Sequence, residues 1–168
     1  VITYYNRSPD TLTYLWLQLD QNRFALDSDN RMTRAAPSDS QLLKPNEKSH
    51  LTYKWYREQL NTTTFDGGFT IKKVTLDNGQ KLAYVINKTM MRVDLPKALQ
   101  PGQKVSFDIA WNFFINDRMK DGGRSGLEYF PEEDNYLYTI AQFFPRMAVY
   151  SDNEGWQNKQ FLGSGEFA

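Results

Sequence analysis

The chain contains no cysteine. Disulfides, thiolate zinc sites and cysteine nucleophiles are therefore excluded. Export is not, because an oxidising compartment permits disulfides without requiring them. Histidine is nearly absent as well: His50 is the single one among 168 residues. One histidine cannot build a two-histidine zinc site, and no His-Glu-x-x-His helix occurs. His50 follows Lys48 and Ser49 in a polar stretch and reads as a solvated surface residue rather than a base. A Ser-His-Asp triad would depend on it, and no Gly-x-Ser-x-Gly elbow is present.

Charge of one sign is also missing. Lys+Arg 20 balances Asp+Glu 20. A neutral chain has no global field to steer it to nucleic acid or an anionic membrane. No apolar run approaches the ~20 residues of a membrane helix. Neither nucleic acid nor a membrane span is expected. The acidic clusters Asp27/Asp29 and Glu132-Glu133-Asp134 lack the loop spacing of a calcium site and read as solvated loops. Gly122-Gly123 and Gly126 do not lead from a strand into a helix, so no phosphate loop is indicated. Among 20 acids no pair is singled out for glycosidic cleavage. The triplets starting at Asn61 and Asn87 fit N-glycosylation, which matters only on a eukaryotic secretory route. No metal, no cofactor and no catalytic centre are expected within this chain.

What is abundant is aromatic. Aromatics reach 15%, with Tyr 10 and Phe 11, and such side chains fit pleated, half-buried surfaces. Short alternating segments recur between turn signals. Val1–Asn6 reads as a strand, Arg7-Ser8-Pro9-Asp10 as a turn, and Leu12–Leu19 as a central strand apolar on both faces. Those two strands suggest an antiparallel hairpin. Residues 20–68 read as a surface insertion with a short helix over Tyr53–Leu60. Phe69–Leu76 is a strand, and Asn78-Gly79 a hairpin turn returning through Lys81–Asn87. Met90–Leu95 is a strand stopped by Pro96. Pro101-Gly102 turns the chain into the clearest amphipathic strand, where Val105, Phe107, Ile109, Trp111 and Phe113 alternate with smaller or polar residues. Residues 116–126 are a polar loop, and Tyr136–Phe144 is a further strand broken by Pro145.

The expected fold is all-β: an antiparallel β-sandwich or saddle-shaped sheet in one domain, 1–168, with one long insertion and little helix. The opening Val1-Ile2-Thr3-Tyr4-Tyr5 reads as mid-strand and Gly165–Ala168 carries no stop signal, so a segment of a longer polypeptide is expected. The densest aromatic stretch is Tyr136–Gln157. It reads either as a core corner or as a cleft wall in which Gln142 supplies an orienting amide.

The run Thr139-Ile140-Ala141-Gln142-Phe143-Phe144-Pro145-Arg146-Met147-Ala148-Val149-Tyr150-Ser151-Asp152 resembles the end of the N-terminal domain of aminopeptidase N-like (gluzincin) zinc metallopeptidases. Ile2–Leu12 with Leu15–Leu19, Leu95–Gln103, and Glu154–Gln157 through Phe167 resemble further parts of that domain, in the same order. The likeness is to the variant found in Bacteroidetes. It implies a saddle-shaped β-domain that forms one wall of a peptide cleft. Zinc and the catalytic residues would lie in a downstream catalytic domain, and the whole would be exported to the periplasm or cell envelope. By the same resemblance Gln142 matches a glutamine that this domain lends to the active site. Phe144 stands where the family has a glutamate that holds the substrate amine, and a ring cannot form that ion pair. Gln142, Phe143, Phe144, Arg146 and Tyr150 are the candidate cleft residues. The alternative is a stand-alone carbohydrate- or protein-binding sandwich, with Trp16, Trp55, Trp111 and Trp156 as candidate stacking platforms.

Overall fold

The computed structural model describes residues 1–32, 65–121 and 125–162. It is all-β. The elements are β1 (Ile2–Tyr5), β2 (Leu12–Gln18), a 3-10 helix (Asp20–Phe24), α1 (Asp29–Met32), β3 (Thr70–Leu76), β4 (Tyr84–Asn87), β5 (Met90–Leu99), β6 (Lys104–Asn112), α2 (Arg118–Asp121), β7 (Gly126–Phe130), β8 (Asn135–Thr139), β9 (Arg146–Met147), β10 (Tyr150–Ser151) and β11 (Gly155–Trp156). A three-stranded sheet runs β1-β6-β3 and a four-stranded sheet β4-β5-β2-β9. β7-β8 and β10-β11 are separate hairpins. Every strand-to-strand pairing is antiparallel. None of the described helices is long and apolar enough to cross a membrane.

The two larger sheets share one core. Leu15, Leu17 and Leu19 at β2 meet Met91 and Val93 of β5, and across the gap Val74 of β3 with Phe107 and Ile109 of β6. The period-2 alternation of β6 puts Phe107 and Ile109 on one face. Phe107 is fully buried. Burying such a ring contributes about 2–3 kcal/mol.

β1 and β2 do not form the expected hairpin. Ile2 opposes Phe107 of β6, whereas Leu17 opposes Met91 of β5, so the two strands belong to different sheets. The reason lies in Asn6, which is fully buried. Its Nδ2 donates to the carbonyls of Asp10 at 2.7 Å and Leu99 at 3.0 Å. Its Oδ1 accepts from Ser8 N and Ser8 Oγ. Its backbone bonds Gln103 and Gly102. One amide thus ties the β1–β2 crossover to the β5–β6 crossover.

Pro96 does not stop β5, which runs on to Leu99. The β2–β5 register shifts between Leu12 and Tyr14, opposite residues 95–98. A residue without an N–H is tolerated where the ladder is already interrupted. The Asn78-Gly79 turn forms, with Gly79 at φ +82. Its return is short: Lys81 bridges Thr75 and Leu82 bonds Val74, after which Tyr84–Asn87 joins β5 in the other sheet. The expected strand Tyr136–Phe144 ends at Thr139, and its partner β7 falls partly in what reads as a loop.

The insertion expected over 20–68 has ordered roots. Asp20–Phe24 is a buried 3-10 helix rather than surface loop. Asn22 Oδ1 accepts from Phe69 N at 2.7 Å and its Nδ2 donates to Lys88 O at 2.7 Å. Phe24 O accepts from Gly67 N. The Tyr53–Leu60 helix, His50, Trp55 and Asn61 lie outside the described residues.

Candidate functional site

The segment after β8 crosses back over the sandwich and supplies β9. Ala141 is held at both backbone groups by one hydroxyl: Ser125 Oγ donates to Ala141 O at 2.7 Å and accepts from Ala141 N at 2.8 Å. Gln142 follows in the left-handed region at φ +54. That conformation costs a residue bearing a Cβ about 1 kcal/mol, and the pinned neighbours hold it there. Phe143 O accepts from the Trp111 indole N–H at 3.0 Å. Phe143 and Phe144 meet edge-to-face at 5.2 Å and stay 43% and 46% exposed. Pro145 is buried beneath them.

Arg146 does different work from its neighbours. Its Nε donates to Asp20 Oδ2 at 2.7 Å, and Asp20 is 2% exposed. A carboxylate so buried requires its cation, so this guanidinium is committed to the fold. Arg146 and Met147 then pair with Gln18 and Leu17 of β2. Phe143, Phe144, Arg146 and Met147 line an open cleft of about 450 Å³ together with Trp111 and Ile109. The walls are mostly apolar, and no acid among the described residues lines it.

Tyr150 is not part of that cleft. It lies in the β10–β11 hairpin, whose turn places Gly155 at φ +72. Its hydroxyl donates to Asp10 Oδ2 at 2.5 Å. That bond, aided by desolvation and the nearby carboxylates, pushes the phenol up to about 12. Tyr150 and Trp156 meet edge-to-face at 5.1 Å. They face a second cleft of about 400 Å³, which Tyr14 and Trp16 also line.

Of the five candidates, Phe143, Phe144 and Arg146 share a cleft, Gln142 sits on the turn leading into it, and Tyr150 stands apart. Trp111 joins the first cleft from 32 residues away, a contact no local pattern announces. Asp20 was hidden for the same reason, although an acid directly after the Leu12–Leu19 run is a usable signal. Asp27 pairs with Lys88 at 3.0 Å, and Asp134 accepts the Tyr129 hydroxyl at 2.8 Å in the β7–β8 turn. Among the described residues no three His, Asp or Glu side chains converge as metal ligands. No family model matches the chain, and neither a curated protein nor a solved structure matches it.

Proposed function

We propose that the chain is the non-catalytic N-terminal domain of an exported, zinc-dependent, aminopeptidase-like metallopeptidase, and that it forms one wall of the peptide cleft. The ordered motif set supports this reading. The observation that carries it furthest is the Gln142–Met147 segment, an aromatic rim pinned from both sides and open to a partner surface. Phe143, Phe144 and Trp111 offer contact area to substrate side chains, while Gln142 offers an orienting amide. Phe144 contributes no carboxylate, so no acid among the described residues lines this wall to form an ion pair with a substrate ammonium.

The residue types here give little support to a zinc site within this chain. It has one histidine and no cysteine, and no three-ligand cluster among the described residues. The metal belongs to the downstream catalytic domain that this reading requires as partner.

In the longer protein, Gln142→Ala is expected to lower kcat/KM on peptide substrates about tenfold, the loss of one productive hydrogen bond, with the fold retained. Turnover at the wild-type level would remove Gln142 from the cleft. The reading frame after Ala168 is expected to encode a His-Glu-x-x-His segment within a few hundred residues; its absence counts against the assignment.

A further inference from the structure

The second cleft lies on the outer face of the four-stranded sheet. Leu15 and Leu17 of β2 point into the core, so Tyr14 and Trp16 point outward. The β10–β11 hairpin rises beside them and brings Tyr150 and Trp156 to the same cleft, with Glu154 and Asn158 at its rim. Four half-buried rings and the exposed polar side chains of Thr11, Thr13, Glu154 and Asn158 thus surround about 400 Å³.

Three of the four rings are held before any ligand arrives. Tyr150 is fixed by Asp10. Trp156 packs on Tyr150 and, at 5.7 Å, on Tyr4. Tyr14 lies under the Arg92 guanidinium at 4.1 Å. Surfaces ordered in advance lose little entropy on binding. Flat aromatic faces beside a carboxylate and an amide suit a ligand that is apolar on its faces and hydroxylated around its edge.

Charge narrows the class. An anion would meet the Glu154 carboxylate, while Arg92 is already paired with Asp94 at 2.8 Å. A quaternary ammonium would find one of the four ring faces, that of Tyr14, already taken by a guanidinium. A neutral sugar ring meets neither penalty. We infer that the Tyr14–Trp16–Tyr150–Trp156 cleft is a binding site for a neutral saccharide. It is separate from the Phe143–Arg146 rim, so it stands whether or not the peptidase reading does.

The test is a titration of the chain, followed by tryptophan fluorescence and NMR, with cellohexaose, maltohexaose, chitohexaose and tetramethylammonium. Saturable binding of at least one hexasaccharide is expected with Kd between about 10 μM and 1 mM. Trp16→Ala is expected to weaken it about tenfold or more, and Asn158→Ala, at an exposed position, severalfold with the fold unchanged. Tyr136→Ser, in the distant β7–β8 hairpin, should leave affinity as it is. The inference is overturned by any of three results: no saturation with any hexasaccharide at about 10 mM, tighter binding of tetramethylammonium than of every sugar, or a Kd that Tyr136→Ser raises as much as Asn158→Ala does.

Discussion

β6 and the β7–β8 hairpin are both aromatic-rich strands, yet they end in opposite environments. In β6 alternate residues reach the core, with Phe107 fully buried and Ile109 nearly so. In the hairpin Tyr129, Phe130, Tyr136, Leu137 and Tyr138 are all exposed. The hairpin pairs with no other strand among the described residues. Its order comes from local contacts: Tyr129 faces Tyr136 at 4.8 Å across the ladder, Tyr136 neighbours Tyr138 at 6.3 Å, and Arg118 pairs with Glu128 at 2.8 Å at its base. β-propensity therefore specifies the pleat in both places, but burial is decided by whether a second sheet covers the strand. One face of the hairpin carries Tyr129, Tyr136 and Tyr138 and the other Phe130 and Leu137, exposed apolar surface of the kind that a covering sheet elsewhere buries.

Substitutions sharpen this contrast. The largest effect is expected at the shared core, where Phe107→Ala should cost about 4 kcal/mol by denaturant unfolding. Asp20→Asn comes next. It leaves Arg146 without its carboxylate and should cost about 3 kcal/mol, detaching β9 first; hydrogen exchange of the Arg146 and Met147 amides would then rise ahead of global unfolding. A smaller, pH-dependent effect is expected at Tyr150. Its proton is held more tightly in the fold than in the unfolded chain, so the stability it lends is complete below about pH 10 and is lost as pH rises through about 12. Tyr150→Phe should flatten that part of the alkaline decline in melting temperature, relative to wild type. Tyr136→Ser is expected to change global stability by less than about 0.5 kcal/mol. A loss comparable to that of Phe107→Ala would show that the hairpin is integral to the sandwich and would break the comparison.

The sequence revealed strands more readily than partners. β6 announces itself by alternation, and the Asn78-Gly79 turn by its chemistry. The assignment of β1 and β2 to different sheets depends on Asn6 reaching Leu99, a contact 93 residues apart. Pro96 reads as a stop because the compensating register shift belongs to two strands at once. β7 was obscured because Gly126 and its polar surroundings imitate a loop. At the site, Phe143, Phe144 and Arg146 are contiguous and so could be grouped from sequence. Tyr150 follows closely in the chain but lies beyond a reversal that sends it to another cleft. Arg146 reads as a cleft candidate alone because its partner Asp20 is 126 positions away.

The buried Asn6 carboxamide has a temporal consequence. Its bond to Asp10 is local, but its bond to Leu99 forms only once residues 93 positions apart have met, and closing such a loop is slow relative to local turns. The Asn78-Gly79 and β4–β5 turns can therefore nucleate early, each from near neighbours. The end of the sandwich where Asn6 sits is expected to close after them, with this single side chain joining one sheet to the other.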